Sequence, residues 1–134
     1  MVIDTSALLA VLLKEQEAPF FARALESESQ LRLSVVTYLE ATIVIEARKP
    51  RTGRGGLETL VREAGIQIVP FDGGQMFYAC QAWRDFGKGR HPAALNMGDC
   101  ATYALVRSFG DHLLCKGDDF NKTDIAHRIW KFSE

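Results

Sequence analysis

Short apolar runs alternate with longer stretches of helical periodicity along the chain. The apolar runs predict strands at Val2-Ile3, Leu31 to Val35, Ile66 to Val69 and Leu113 to Cys115. The periodic stretches predict helices around Ala7 to Leu12 and at Ala18 to Ser27, Thr37 to Arg48, Gln75 to Phe86 and Gly98 to Phe109. A further short helix is predicted after the loop that ends at Gly56, and it runs to about Ala64. Strands that alternate with helices imply crossover connections. The pattern therefore predicts an α/β fold with a mostly parallel central sheet flanked by helices.

The segments between these elements are polar, and two of them are basic and rich in glycine. Arg48 to Gly56 and Gly87 to Pro92 are predicted to be flexible loops that lack the spacing of a nucleotide-binding loop. In the helix that ends at Phe86, we expect Ala79, Ala82, Trp83 and Phe86 to face inward. The C-terminal segment from Ile125 to Phe132 predicts a last helical turn and an edge strand.

Acidic residues follow or open these elements at points where strands should end and helices begin. They are Asp4, Glu40, Asp99 and the pair Asp118 and Asp119. Because the carboxyl ends of parallel strands face one crevice, we expect the acids to converge there. Converging carboxylates repel each other unless a cation lies among them. The pattern therefore indicates a divalent-metal site and phosphate chemistry.

Each acid also has a purely structural explanation. Asp4 precedes a helix and is a candidate N-cap. The segment Thr37-Tyr38-Leu39-Glu40 fits a capping box, in which the glutamate reaches back to the cap. Asp99 in a first helical turn is favoured by the helix dipole, and the 118–119 pair suits an Asx-turn. Capping and metal binding can coexist, since both use the junction between strand and helix.

Length and composition limit the class of protein. The 134 residues suit one domain, and 47% hydrophobic with 25% charged residues is ordinary for a globular protein. No apolar run has the length of a membrane span, so no membrane partner is expected. The start lacks the features of a signal peptide. Three cysteines without short spacing favour reduced thiols, and we therefore expect a cytoplasmic protein.

Net charge permits a nucleic-acid partner without requiring one. The chain carries 16 basic and 17 acidic residues, for a net charge of −1. Without the five candidate site acids, the remaining surface is basic, and a bound metal would let an anionic substrate approach. Basic residues that are candidates for contact with RNA phosphates, with a solvated role as the alternative, are Arg48, Lys49, Arg51, Arg54, Lys88 and Arg90.

Four segments together resemble a known family. They are MVIDTSALLAVLL, LSVVTYLEATIVIEAR, FGKGRHPAALNMGDCATYALV and LLCKGDDFNKTDI. They resemble, in order and spacing, the PIN-domain ribonucleases of the VapC toxin type, and the resemblance runs from Met1 to about Ile125. It implies a PIN-like fold with an acidic site at the carboxyl ends of the strands. By resemblance, Asp4, Glu40 and Asp99 are three members of the family's acidic quartet, and the fourth is either Asp118 or Asp119.

The resemblance also implies an activity. It implies Mg²⁺-dependent endonucleolytic cutting of a structured RNA such as tRNA, with Mn²⁺ as a substitute. We expect Asp4 and Asp99 to bind metal directly, because Mg²⁺ takes few carboxylates and keeps several waters. Glu40 and the 118–119 loop, with Asp119 the candidate ligand, would hold metal-bound water or complete the site of a second metal. Thr5 and Ser6 would hydrogen-bond a metal-bound water or a site carboxylate. A homodimer and a VapB-type antitoxin partner are implied as well.

Three other interpretations stay open. The first is a stand-alone RNA-processing nuclease of the same family. The second is a non-catalytic module that binds RNA or protein. The third is a receiver-like domain with Asp72 as phosphoacceptor, although such a domain needs paired acids after its first strand and Asp4 stands alone there.

Overall fold

A four-stranded parallel sheet organises residues 1–131, the part of the chain that the computed structural model describes. Its strands are β1 (Val2–Ile3), β2 (Leu31–Ser34), β3 (Ile66–Val69) and β4 (Leu113–Leu114). They lie in the order β3-β2-β1-β4, and every neighbouring pair is parallel. The predicted α/β class with a mostly parallel sheet is confirmed.

Six α-helices of the described residues cover the two faces of the sheet. They are α1 (Thr5–Leu12), α2 (Ala18–Ser27), α3 (Val35–Arg48), α4 (Gly53–Ala64), α5 (Gly73–Phe86) and α6 (Met97–Phe109). Because successive side chains of a strand point to opposite faces, Ile3 lies in the core beneath α1 to α4, whereas Val2 lies in the core beside α5 and α6. Both side chains are fully buried.

The start of α3 differs from the prediction. The helix begins at Val35, and Ser34 is its N-cap, with the hydroxyl oxygen accepting the Val36 N–H at 3.2 Å. Thr37 is therefore inside the helix, and the proposed capping box that ended at Glu40 is wrong. The helix therefore begins directly after β2, at Val35, two residues before the predicted start at Thr37.

Three further predictions need correction. Residues 53–56 are not a loop but the first turn of α4. Trp83 does not face inward, since it is 48% exposed on α5. Within residues 1–131, the C-terminal segment forms the 3₁₀ turn Ala126–Arg128 and a single bridge between Ile129 and Leu113 rather than an edge strand. The predicted strand end at Phe132 lies outside the described residues. Over residues 1–131, no helix has both the length and the apolar character needed to cross a membrane.

The topology fixes where the acids meet. The central strand β1 and the edge strand β4 are neighbours, and their carboxyl ends lead directly to Asp4 and to the loop of residues 115–119. The adjoining strand β2 leads into α3, which carries Glu40. Asp99, the fourth of these positions, lies in the first turn of α6.

Candidate active site

Asp4 directly follows β1 and is only 5% exposed. Its carboxylate oxygens accept hydrogen bonds from two hydroxyls and one backbone N–H. Its Oδ2 accepts the Ser6 N–H at 3.1 Å and the Ser6 hydroxyl at 2.6 Å. Its Oδ1 accepts the hydroxyl of Thr102 at 3.0 Å. Asp4 is thus both the N-cap of α1 and a carboxylate locked in one orientation. Thr102 lies in α6, fully buried, and nothing in the local sequence marked it.

Glu40 lies in the second turn of α3 and is held by Thr5. The Thr5 hydroxyl donates to Glu40 Oε1 at 2.6 Å and also lies 3.4 Å from the carbonyl oxygen of Thr37. Thr5 is the residue after Asp4. The segment that follows β1 therefore supplies the Asp4 carboxylate and also orients the Glu40 carboxylate, which is 36 positions further along the chain. Thr5 and Ser6 thus each donate a hydroxyl hydrogen bond to a candidate site carboxylate, and their supporting role in the site stays a prediction.

Asp99 lies at the third position of α6 and closes a capping box. Its N–H donates to Asn96 Oδ1 at 2.9 Å, and its Oδ2 accepts the Asn96 N–H at 3.0 Å. Burial raises the pKa of Asp99, and the charges of Asp4, Glu40 and Asp119 raise it further. The hydrogen bond from Asn96 opposes this, yet the pKa reaches about 7 from an ordinary 3.8. The carboxylates are therefore close enough to resist full ionisation without a cation.

The loop after β4 is fastened to the start of α1. The Lys116 N–H donates to the Ser6 hydroxyl oxygen at 2.9 Å. The Lys116 ammonium pairs with Glu15, and with Glu17 at 3.2 Å. Ser6 therefore links Asp4 to the segment that carries the last two acids. Sequence reasoning missed Lys116, whose partners lie about a hundred positions away.

Asp118 and Asp119 are both exposed, but their effects on the site differ. Asp119 is among the charges that raise the pKa of Asp99, and Asp118 is not. Asp119 also raises the pKa of Cys115, the first residue of this loop. The electrostatics favour Asp119 over Asp118 as the fourth acid of the cluster.

The thiols near the site do not suit nucleophilic chemistry. Burial, with the charges of Asp4, Asp99 and Asp119, raises the pKa of Cys115 to about 12. Burial first, then the Asp99 charge, raises the pKa of Cys100 to about 11. Both thiols stay protonated at neutral pH, whereas the thiolate is the nucleophile. The carboxylates are the chemically useful groups here.

The acidic cluster fits a hard divalent cation. Its donors are carboxylate and hydroxyl oxygens, which Mg²⁺ and Mn²⁺ prefer. Within residues 1–131, no three or more His, Cys, Asp or Glu side chains lie in an arrangement that could hold a metal ion between them. An open arrangement is compatible with Mg²⁺, because this ion takes one or two carboxylates and keeps its other ligands as water. A cation would also relieve the repulsion that raises the pKa of Asp99.

The first basic cluster lies away from the acids. Arg48, Lys49 and Arg51 are exposed at and beyond the end of α3, and Arg48 is about 12 Å along the helix from Glu40. Arg54 pairs with Glu58 at 3.0 Å on the surface of α4. The predicted contact of this first cluster with RNA stays a prediction, and the cluster does not adjoin the acidic site.

The second basic cluster lies beside an apolar groove that reaches the site. The groove has a volume of about 750 Å³ between α3, α5 and α6. Lys88 lines it, and the Arg90 guanidinium stacks on Trp83 with 4.5 Å to the ring centroid. Side chains that line the groove include Val36, Leu39, Met76, Ala79, Trp83, Met97 and Cys100. A neighbouring cavity of about 350 Å³ shares Val36, Leu39 and Met97 with the groove and is also lined by Glu40, so the groove leads toward the acidic cluster.

Comparisons with known proteins agree with this geometry. Residues 1–126 match the PIN domain family. Ribonuclease VapC30 of Mycobacterium tuberculosis is 44% identical over 126 residues, which cover 94% of this chain and 96% of that protein. Two solved structures share the fold: Mycobacterium tuberculosis VapC20, described as a Sarcin-Ricin loop cleaving toxin, and VapBC2 of Rickettsia felis, described as bound to a DNA fragment from the promoter.

The structural likeness spans nearly the whole chain at low identity. VapC20 has a TM-score of 0.72 at 15% identity and covers 90% of this chain and 92% of its own. VapBC2 has a TM-score of 0.73 at 12% identity and covers 92% of each chain. These values show the shared fold, and the 44% identity shows the closer kinship. The resemblance noted from the four segments is confirmed: the chain belongs to the PIN-domain family, as a ribonuclease of the VapC toxin type.

Proposed function

We propose that residues 1–134 form one PIN domain that acts in the cytoplasm as a Mg²⁺-dependent endoribonuclease toxin, with Mn²⁺ able to substitute. The single observation that carries the proposal is the gathering of four acids at one edge of the sheet, where Asp4, Glu40 and Asp119 all act on Asp99. Burial and these charges bring the pKa of Asp99 to about 7. A carboxylate in this state is poised to exchange its proton for a cation. Caps alone would not gather four acids from four parts of the chain.

Each acid has a distinct part in the proposed site. Asp4 and Asp99 would bind the cation directly, since hydrogen bonds orient both carboxylates and leave oxygen lone pairs for a metal. Glu40, held by Thr5, and Asp119, in the loop that Lys116 fastens to Ser6, would orient water near the cation. A divalent ion held there would supply an activated water for attack on a phosphodiester and would stabilise the leaving oxygen.

The substrate class we propose is structured RNA, with tRNA the first candidate. Lys88 and Arg90 lie beside the groove, whose neighbouring cavity is lined by Glu40, and they would position a phosphate backbone there. VapC20 is described as a Sarcin-Ricin loop cleaving toxin, which makes an RNA with such a loop the second candidate.

Cleavage with and without metal tests the proposed activity. We expect the purified chain to make discrete cuts in tRNA with Mg²⁺ or Mn²⁺ and none with excess chelator, as read on denaturing gels. Total RNA incubated in parallel distinguishes tRNA from ribosomal targets. If metal makes no difference to cutting, the acidic cluster is not the catalytic site. If folded protein cuts nothing in either pool, the non-catalytic module becomes the better interpretation.

The receiver-like alternative gains no support from the position of Asp72. Its side chain accepts the Gln75 N–H at 2.9 Å and caps α5, so it has a structural use. It is not among the charges that act on Asp99.

A stand-alone processing nuclease differs from a toxin in having no antitoxin, so binding to a partner decides between them.

We propose that a VapB-type antitoxin places a helix in the apolar groove between α3, α5 and α6, with a basic side chain reaching the carboxylates. The groove is apolar and exposes large side chains such as Met76 and Met97 to solvent, which an amphipathic helix would cover. We also propose that the chain forms a homodimer, for which sedimentation of the isolated protein is the direct measurement.

A matched pair of substitutions on α5 tests the groove. Met76 lines it and is 55% exposed, whereas the adjacent Phe77 is 67% exposed and is not among its lining residues. We expect Met76→Glu to weaken binding of the antitoxin encoded beside this gene by about 30-fold or more, since a buried unpaired carboxylate costs at least about 2 kcal/mol. Phe77→Glu should bind as the wild type does in calorimetry. Equal effects of the two variants would place the antitoxin elsewhere.

A further inference from the structure

Gly98 occupies the second position of α6, between the N-cap Asn96 and the site residue Asp99. It is buried, and the Glu40 carboxylate lies directly against it. A Cβ added at Gly98 would lie 2.7 Å from both Glu40 Cδ and Glu40 Oε1, and closer still to Oε2. Real Cβ atoms do not approach heavy atoms so closely, so a side chain at position 98 and the present Glu40 carboxylate exclude each other.

The backbone at this position does not require glycine. Gly98 is not among the glycines with positive φ, which are Gly65, Gly89, Gly110 and Gly117. In a helix, alanine is more favourable than glycine because glycine loses more conformational freedom on folding. A glycine retained here therefore weakens the helix, and the space it leaves is filled by the carboxylate of another helix.

We infer that Gly98 is a positioning residue for Glu40, an inference that rests on the proposed function. Its missing side chain lets the Glu40 carboxylate lie against the first turn of α6, whose partial positive charge favours a carboxylate. In that position the Glu40 carboxylate also accepts the Thr5 hydroxyl hydrogen bond at 2.6 Å. With alanine at position 98, the flexible end of Glu40 would swing out, and Thr5 would lose its acceptor.

A double-mutant cycle on the metal-free protein tests this without any substrate. We would measure melting temperatures, with chelator present, for the wild type, Gly98→Ala, Glu40→Ala and the double variant. In the Glu40→Ala background, Gly98→Ala should raise the melting temperature by about 2–4 °C, the usual gain for alanine over helical glycine. In the wild-type background it should lower the melting temperature or leave it unchanged. Equal shifts in both backgrounds would overturn the inference.

Gly74 provides a matched control. It is also the second residue of its helix, α5, and a Cβ there would meet only Asp72 Oδ1, at 3.5 Å. Gly74→Ala should raise the melting temperature equally with and without the Glu40 side chain. A shift at position 74 that depended on Glu40 would mean that the cycle reports a global effect, and the assignment to Gly98 would fall.

Cleavage adds a second readout. Gly98→Ala should cut RNA at least 10-fold more slowly than the wild type, while Gly74→Ala should cut normally. Unimpaired cleavage by Gly98→Ala would overturn the positioning role. If the wild-type protein cuts no RNA, the proposed function fails, yet the melting-temperature cycle still decides whether Gly98 sets the place of Glu40.

Discussion

Asp4→Asn is expected to cut RNA about a thousand-fold more slowly than the wild type and to remain folded. Asp4 is one of the two carboxylates that we assign as direct metal ligands, and its neutral isostere would bind a divalent ion far more weakly. Loss of about 4 kcal/mol of transition-state stabilisation corresponds to this factor. Excess Mn²⁺ should restore part of the rate if the defect is weakened metal binding.

The fold should tolerate this change because the hydrogen bonds around Asp4 can adapt. An asparagine Oδ1 can accept the Ser6 N–H and hydroxyl, as Asp4 Oδ2 does now. Its amide would then face Thr102, whose hydroxyl can accept that donor and turn its own proton toward Thr37, 3.2 Å away. Asparagine is also as good an N-cap as aspartate. The melting temperature should therefore fall by no more than a few degrees.

The measurement is a single-turnover cleavage rate on the RNA that the wild type cuts, accompanied by thermal melting of each protein. Asp85→Asn is the control, because Asp85 is an exposed residue of α5 that accepts a hydrogen bond from Gln81 at 3.0 Å, away from the acidic cluster. If Asp4→Asn were folded and nearly as active as the wild type, Asp4 would be only the cap of α1.

Much of the fold follows from local pattern. The strands at Val2–Ile3 and Ile66–Val69 and the helix Ala18–Ser27 are observed with the predicted bounds. These elements have an apolar run or a clear amphipathic face bounded by polar residues, so local and tertiary preferences agree. The expectation that acids gather at the carboxyl edge also follows from topology alone, since a parallel sheet brings its strand ends together.

The local environment of Glu40 shows where pattern fails. Ser34 and Thr37 are both good N-caps, and the sequence gives no reason to prefer one. In the folded protein Ser34 is the N-cap, because β2 ends at this residue and α3 begins at the next one. Glu40 then lies inside the helix rather than at its first turn, and its carboxylate is free to reach Thr5. A choice between two caps thus changes the role of a site residue.

Contacts between distant parts of the chain are beyond local reasoning. Thr102 reaches Asp4 across 98 positions, and Lys116 reaches Ser6 across 110. Neither threonine nor lysine carries a pattern that reports such a partner. The space beside Gly98 is equally hidden, because it depends on how closely α3 and α6 approach. The sequence can thus indicate the acids, while the hydroxyls and the glycine that orient them emerge only from packing.

Asp99→Asn is expected to raise the melting temperature of the metal-free protein by about 5 °C at pH 8. Burial and three neighbouring carboxylates raise the pKa of Asp99 to about 7, so its ionised form destabilises the folded state above that pH. The shift from 3.8 corresponds to about 4 kcal/mol at 1.36 kcal/mol per pKa unit. Partial exposure screens this effect, and loss of a charge at the helix N-terminus offsets some of it, which leaves about 1–2 kcal/mol.

The pH dependence separates this explanation from a general stabilising effect. Between pH 4 and pH 7 the folded protein keeps the Asp99 proton that the unfolded chain releases. The contribution of Asp99 to the free energy of unfolding should therefore be highest at about pH 4 and below, and it should fall as the pH rises to about 7. The Asp99→Asn variant would have no such fall, yet its new side-chain oxygen would still accept the Asn96 N–H that Asp99 Oδ2 accepts at 3.0 Å. Melting curves from pH 5 to 8 with chelator should therefore converge at low pH and diverge at high pH. Asp72→Asn, at the cap of α5, should follow the wild type. A difference between wild type and Asp99→Asn that did not grow with pH would mean that the carboxylates are not crowded, and it would remove the electrostatic reason for placing a cation among them.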